Sequence, residues 1–529
     1  EDRLMILNIV VIAIVLLIAY WWANQGFFSS LLHFLCVVVA GGVALAFWEP
    51  LSGLLMRGND FDNYAPGVVL VGLFIVVLLI TRMLGDRLVG ANVQVAHWGN
   101  LVFGGLLGFA SGVITMGLLL IGIGHMQLPH ELLGYQGFGR LSGSDQPIAR
   151  IDTMWLPVDK FTSDFYSLLS VTSLSSGKPL ALYEPDLYKQ ANLVRDTYDR
   201  GKGQVVMPPE GARVTSVVHS PDLNRIGVGV RFENPAIDFG QQLTLTKSQI
   251  RLIAFDAASR SAETYYPDRW TTGDAHYLFD DVLHVITSVP GQESADVIVE
   301  FPVPPNNPTP QFVQIRGVRY DLPRIQSVDR DGFLATRLGI KPSETVGSTL
   351  DFDRARSIDH LISVSDDIRP VNVGVNQMPS GMEVVDRYLA AGKALFGKGI
   401  ERAPANLRVQ GIFEIPGTEV VKVDVSRNQP ADIFRLRDQV EPDAAIALID
   451  AQGNEYRPIG YMHTRNDGTE IMLDPDRRIR SIAQLPNVPT AGNQRLVLIF
   501  YVTEGAELRG LRLGKFAVGR CSVVVDQDD

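Results

Sequence analysis

The sequence predicts a multidomain protein in which an all-α bundle of four transmembrane helices is followed by all-β sandwich domains. Four long apolar stretches occupy the first quarter of the 529 residues. Beyond residue 216, short runs alternate apolar and polar residues and are separated by turn residues, a pattern typical of antiparallel strands. The chain is also too long for a single domain and long enough for three or four.

Each of the four apolar stretches can cross a bilayer, which takes about 20 apolar residues. Tryptophan and tyrosine residues lie at their ends, where side chains of this kind usually meet the membrane interface. The first stretch is longer than the apolar region of a signal peptide and is followed by three more, which favours a span. The predicted spans are approximately Leu4–Ala23, Phe27–Trp48, Gly67–Leu84 and Asn100–Gly124.

The fourth span carries a stripe of glycines. Gly104, Gly108 and Gly112 recur at every fourth residue, which places them on one face of a helix. A face without side chains allows another helix to approach closely, and hydroxyl groups beside it can form hydrogen bonds across the groove. The bundle is therefore predicted to associate with itself or with another membrane protein through this span. The predicted helix-packing and oligomerisation residues are Asn100, Gly104, Gly108, Ser111, Gly112 and Thr115.

The same residues carry a family resemblance. Four short spans, Gly26 in the first tight turn and the spacing of Asn100, Gly104, Gly108 and Gly112 resemble the CvpA (colicin V production protein) family. The resemblance covers about the first 125 residues. It implies a four-span bacterial inner-membrane protein linked to toxin production or export and to envelope upkeep. Related membrane modules also anchor extracytoplasmic domains, in one case a serine protease.

Charged residues between the spans indicate an orientation. Arg82 and Arg87 lie between the third and fourth spans, whereas Arg57 is outnumbered by acidic residues between the second and third. The positive-inside rule places the connection with more arginines in the cytoplasm. The sequence therefore predicts a multi-pass inner-membrane protein whose C-terminal domains are extracytoplasmic.

The remainder of the chain divides by its periodicity. Val158–Ser170 has apolar residues at helical spacing, and Leu187–Tyr198 is interpreted as a second short helix. Met382–Phe396 is also predicted to be an amphipathic helix, within an otherwise irregular linker. The predicted domains are a membrane domain, a helical connector, a first β-sandwich, a linker and a second β-sandwich, at residues 1–125, 126–215, 216–324, 325–406 and 407–529.

The two predicted sandwiches share an order of features. In Ile250–Pro267 and in Ile446–Pro458, an apolar strand ends in aspartate and is followed by a turn and an aromatic strand. A strongly apolar strand follows in each, at Asp296–Phe301 and at Arg495–Val502. We interpret the two segments as a diverged repeat. They loosely resemble the immunoglobulin-like modules of secreted bacterial proteins, a resemblance that rests on strand order and on the Asp-turn-Tyr pattern.

The sequence carries no recognised catalytic motif. It has no Gly-x-Ser-x-Gly elbow, zincin helix or phosphate-binding loop. Ser175 and Lys178 form a Ser-x-x-Lys pattern that lacks its usual companion motifs, and we attribute it to chance. The acidic pairs that begin at Asp351 and Asp366 could bind calcium, but neighbouring arginines favour salt bridges. We predict no enzyme, no catalytic or metal-binding residues and no cofactor.

Composition excludes one class of partner. The formal net charge is -11, and no run rich in lysine and arginine is present, so we expect no nucleic-acid partner. The predicted function is that of a membrane anchor for sandwich modules that act as an assembly or docking scaffold in the cell envelope. Its partners would be the bilayer and an envelope protein bound at sandwich edge strands. An oligomeric channel or transport component and a ligand-binding envelope sensor remain as alternatives.

Overall fold

The computed structural model divides the chain into two compact units. The first comprises residues 1–236, 245–286 and 296–340, and the second comprises residues 237–244, 287–295 and 341–529. The structure describes residues 6–56, 60–88, 97–142, 148–175, 177–198, 203–256, 261–272, 275–302, 309–338, 350–397, 403–489 and 494–526.

Four long helices open the first unit. They are α1 (Ile6–Gln25), α2 (Phe27–Leu55), α3 (Ala65–Leu88) and α4 (His97–Gly124). All four are long and apolar enough to cross a membrane, which confirms the four predicted spans. Helix α2 continues past the predicted end of its span and contains Pro50. The predicted start of the first span, at Leu4, lies outside the described residues.

The turn between α1 and α2 is a single residue, Gly26. Its φ angle is 84°, in the region that glycine adopts without steric cost. The backbone N–H of Phe27 donates to Oδ1 of Asn100 at 3.2 Å, so the start of α4 caps the start of α2. The hydroxyl of Ser30 donates to the carbonyl oxygen of Trp22 at 2.8 Å. Two of the residues behind the family resemblance, Gly26 and Asn100, are thus neighbours in the fold.

The connector contains three helices and a short hairpin. The hairpin pairs β1 (Phe138–Arg140) with β2 (Ile148–Arg150), and the helices are α5 (Val158–Val171), α6 (Leu180–Tyr183) and α7 (Leu187–Leu193). Helix α5 confirms the prediction for this segment. The helix predicted to reach Tyr198 ends earlier, at Leu193, and Gln249 Nε2 donates to the carbonyl oxygen of the next residue, Val194, at 3.0 Å.

The first sandwich completes the first unit. One sheet has the order β14-β3-β4-β11-β8-β9, the other has the order β13-β12-β6-β7, and β5 pairs with β10. Helix α8 (Arg330–Leu338) follows the last strand. The strands are β3 (Ala212–Ser220), β4 (Arg225–Phe232), β5 (Thr244–Thr246), β6 (Ile250–Asp256), β7 (Ser261–Tyr265), β8 (Arg269–Thr272), β9 (Ala275–Leu278), β10 (Val285–Thr287), β11 (Ala295–Pro302), β12 (Thr309–Ile315), β13 (Val318–Asp321) and β14 (Gln326–Ser327).

The second unit is a second sandwich. Its larger sheet has the order β15-β19-β24-β22-β23-β17-β16, with β18 paired to β17, and its smaller sheet has the order β21-β20-β25-β26. The strands are β15 (Ile362–Val364), β16 (Met382–Val385), β17 (Tyr388–Gly397), β18 (Gly411–Ile412), β19 (Thr418–Asp424), β20 (Ile446–Asp450), β21 (Glu455–Tyr456), β22 (Gly460–Thr464), β23 (Gly468–Leu473), β24 (Arg495–Thr503), β25 (Glu507–Leu513) and β26 (Phe516–Val524).

The helix predicted at Met382–Phe396 is wrong, because this segment forms β16 and β17. The two strands pair with each other through a turn at Asp386 and Arg387, both of which have positive φ angles. Strand β17 then pairs along its length with β23, with Lys393 opposite Met472. The apolar residues of Met382–Phe396 fit both the helical period and the strand period, and pairing with the distant strand β23 selected the strand. The segment predicted to be a linker thus supplies β15, β16 and β17 to the larger sheet.

The two sandwiches have the same strand order, which confirms the predicted repeat. In the first, β3-β4-β11-β8-β9 and β7-β6-β12-β13 form the sheets. In the second, β15-β19-β24-β22-β23 and β21-β20-β25-β26 occupy the same places in the same order. Four strands of one sheet follow the ABED order of immunoglobulin sandwiches, and the other sheet follows the CFG order with one added edge strand. In each sandwich the sheet with the ABED order has one further strand beside its fourth strand, β9 in the first sandwich and β23 in the second.

The pKa of Glu414 in the second unit lies above the ordinary value for glutamate. Burial, together with the nearby carboxylates of Glu419 and Asp366, raises its pKa to about 7. Because the folded-state pKa lies above the ordinary 4.5, the folded state favours the protonated acid. The contribution of Glu414 to the free energy of unfolding is fully present below pH 4.5 and is lost as the pH rises through about 7.

We therefore expect the unfolding free energy of the second unit to fall by about 1–2 kcal/mol over this pH range, after allowance for solvent screening of a partly exposed group. Glu414→Gln should remove this part of the pH dependence. Amide hydrogen exchange in β19 and β24 of the intact protein would measure the change, with the exposed Glu441→Gln as the control. An unaltered pH profile in Glu414→Gln would contradict the expectation.

Candidate functional site at the end of the membrane bundle

The glycine stripe of α4 faces α1 of the same chain. A Cβ atom at Gly108 would lie 2.8 Å from the Cβ of Trp22 and 3.0 Å from the Cα of Ala19. A Cβ atom at Gly112 would lie 3.2 Å from the carbonyl oxygen of Val15, and one at Gly104 would meet the end of α1 similarly. The stripe packs helices within the chain. Association of the bundle with another membrane protein through this span stays a prediction.

The polar residues predicted beside the stripe have local partners. The hydroxyl of Ser111 is buried and donates to the carbonyl oxygen of Leu107 at 2.8 Å, within its own helix rather than across the groove. Thr115 is half-buried on the same helix. Asn100 caps α2, as described above. The structure therefore places these three residues within the packing of a single bundle.

The connector packs against the bundle at two glycines outside the predicted stripe, Gly117 and Gly41. The space beside Gly117 of α4 is taken by Thr162 of α5, and the space beside Gly41 of α2 is taken by Tyr166. The hydroxyl of Tyr166 donates to the carbonyl oxygens of Val37 and Val38 at 3.2 and 3.1 Å. The amphipathic helix α5 is thereby attached to two spans. The continuing small residues after Gly112 were the available signal in the sequence.

A buried ionic network links the bundle, the connector and the first sandwich, and we call it the Glu184 network. Its centre is Glu184, just after α6, whose side chain is 2% exposed. Arg251 of β6 approaches one carboxylate oxygen at 3.1 Å, and Arg319 of β13 approaches the other at 2.8 Å. Gln314 of β12 also donates to Glu184, at 2.7 Å. Arg319 pairs in addition with Glu49 of α2.

The Glu184 network contains two arginines and two glutamates. The Arg251 side chain is only 4% exposed, so its charge depends on this partner for compensation. Removing one partner of a buried pair typically costs about 3–5 kcal/mol, because the other charge stays buried. The indication of this network in the sequence was weak, because it consisted of a single arginine at position 251 inside an otherwise apolar strand.

A second polar cluster, centred on Asp196, holds the connector to the same sandwich. Arg140 of β1 donates to the Asp196 carboxylate at 2.9 and 3.1 Å, and Ser248 donates to it as well. The hydroxyl of Thr246 donates to the Asp196 backbone carbonyl at 2.6 Å. His130 lies beside the carboxylate, and burial lowers its pKa, so the ring is neutral at pH 7.

The Asp196 cluster has the residue types of a catalytic triad but not its connections. A serine nucleophile transfers its proton to a histidine, whereas the Ser248 hydroxyl donates directly to Asp196. Among the residues that the structure describes, no group of three histidine, cysteine, aspartate or glutamate side chains could hold a metal ion. The arrangement that these contacts support is a structural junction between a membrane bundle and a β-sandwich.

Residues 7–135 match the family model of the Colicin V production protein. The match spans the four apolar helices and about a quarter of the chain, and it confirms the resemblance carried by Gly26 and the glycine spacing. No curated protein and no solved structure matches the chain.

The four long apolar helices make this a multi-pass membrane protein, and its membrane module is similar to the Colicin V production protein family. Its four spans contact the lipid bilayer. The module also supplies Glu49 to the Glu184 network, and it supplies the glycines against which α5 packs. The residues matched by the family model therefore carry one side of the junction, and the sandwich beyond the match carries the other.

Proposed function

We propose that the protein anchors its two sandwiches to the inner membrane as an extracytoplasmic docking scaffold in the cell envelope. The observation that carries this proposal is the pair of buried polar networks around Glu184 and Asp196. They fix the first sandwich to the bundle, as a scaffold requires. The family description supports a role in colicin V production, and the arginines near the end of α3 support the orientation. The protein is proposed to act by binding rather than by catalysis.

Strand β9 is the proposed docking edge. In the described part of the chain it is the edge strand of its sheet, next to β8, and edge strands can accept an added strand. Its side chains Tyr277 and Leu278 are 43% and 49% exposed. Addition of a partner strand to such an edge supplies backbone hydrogen bonds, and the exposed apolar side chains add contact area.

A cysteine-labelling experiment in intact cells tests the location and the docking together. Leu278→Cys is expected to react with a membrane-impermeant maleimide that carries a photoreactive group and, after irradiation, to form one discrete covalent adduct with an envelope protein. Asp86→Cys, near the cytoplasmic end of α3, is the matched control and should stay unlabelled. The native Cys36 and Cys521 are buried, and burial raises the pKa of the Cys521 thiol to about 12, so the background should be low.

Two results would contradict the proposal. Labelling of Asp86→Cys without labelling of Leu278→Cys would invert the orientation. Labelling of Leu278→Cys without any discrete adduct would remove the docking role of β9 and leave the orientation intact.

A further inference from the structure

A large cavity lies in the first unit between α2, α5 and the outer face of β12 and β13. Its volume is about 1100 Å³, above the range of roughly 300–1,000 Å³ that is usual for small-ligand sites. One long wall is apolar and is contributed by a stretch of a membrane span, by α5 and by the residues just after α5. Side chains of this wall include Val39, Val43, Ala46, Phe47, Leu169 and Leu174.

Helix α5 places one side of the cavity at the depth of the bilayer. Its Tyr166 bonds to carbonyls at Val37 and Val38, about 18 Å along α2 from Glu49 at 1.5 Å per residue. Two apolar side chains of α5, Phe161 and Leu168, are nevertheless exposed by 51% and 61%, beside the exposed ion pair of Lys160 with Asp164. Phe161 and Leu168 are therefore placed to contact lipid.

Charged side chains line the cavity next to this apolar wall. Glu49 and Arg319, which are paired with each other, line the cavity together with Lys178 and Asp321. The Lys178 ammonium lies 5.7 Å from the centre of the Tyr183 ring, on an exposed segment at the rim. Charges of both signs thus lie next to an apolar wall. This distribution matches an amphiphile with acyl chains and a phosphate-containing headgroup.

We propose that this cavity binds one glycerophospholipid from the surrounding bilayer. The acyl chains lie along the wall formed by α2 and α5, and the phosphate lies at the rim beside Lys178 and Arg319. The occupant is a lipid rather than a soluble ligand, because the apolar wall is part of a membrane span. This proposal does not depend on partner docking at β9.

Native mass spectrometry of the full-length protein, released from bilayers of dioleoyl phosphatidylcholine, tests the proposal. Wild type is expected to retain one phospholipid per chain. Ala46→Phe fills the apolar wall and should lower the retained fraction about tenfold or more. Gly72→Phe is the matched control, because a side chain at Gly72 on α3 meets nothing within 4 Å, and it should retain lipid as wild type does.

The headgroup is tested with a charge reversal and a neutral lipid. Lys178→Glu should weaken retention about fivefold or more, whereas the same change at Lys515 should have no effect. Wild type should also retain dioleoyl phosphatidylcholine over dioleoyl glycerol, a comparison that needs no variant to fold. Equal retention by wild type and Ala46→Phe would overturn the proposal. So would equal retention of phospholipid and diacylglycerol by wild type.

Discussion

Gly108→Leu is expected to lower the free energy of unfolding of the membrane module by about 3 kcal/mol or more. A leucine side chain there would enter the backbone of α1, since even a Cβ atom would lie 3.0 Å from Ala19 Cα. Overpacking of a core usually costs about 1–3 kcal/mol. The cost here should lie at the upper end or beyond it, because the obstacle is main chain of α1 and cannot rotate away. Helices α1 and α4 would then separate along the stripe.

The measurement is a denaturant titration of the full-length protein in mild detergent, followed by the helical signal. Gly72→Leu is the matched control, since it places the same side chain on a span where no atom lies within 4 Å. It should unfold as wild type does. Equal stability of Gly108→Leu and Gly72→Leu would show that α1 does not occupy the stripe.

Glu184→Ala is expected to destabilise the junction between the bundle and the first sandwich by about 3–5 kcal/mol. The substitution leaves Arg251 buried without its carboxylate partner and removes one of the two carboxylates that hold Arg319. The sandwich strands that reach this network, β6, β12 and β13, should lose protection together with α6. Amide hydrogen exchange of the intact protein in detergent would measure the loss.

The control is the exposed ion pair between Lys160 and Asp164 on α5. Asp164→Ala should cost about 0–1 kcal/mol, because both side chains are solvated. A double variant of Glu184 and Arg251 to alanine should be less destabilised than the sum of the two single changes, since no unpaired charge remains. A strictly additive double variant would refute the coupling. Unchanged exchange in β6 would refute the role of Glu184 in the junction.

The local sequence pattern correctly predicted elements that form without a distant partner in the chain. The four spans follow from continuous apolar runs, which need no partner to enter a bilayer, and α5 follows from a clear helical period. The repeated order of apolar strand, aspartate, turn and aromatic strand predicted that the two sandwiches are related. The structure confirmed this in the matching orders of β6 with β20 and of β11 with β24.

Only the tertiary structure decided which surfaces meet. Met382–Phe396 contains apolar residues that suit a helix or a strand, and pairing of β17 with β23, some 80 residues later, selected the strand. The glycine stripe indicated that a helix approaches α4, and α1 of the same chain fills the space beside it. The contact of Glu49 with Arg319 joins residues 270 positions apart. An isolated charged residue in the sequence does not identify its partner, because the pairing depends on how the bundle and the sandwich pack.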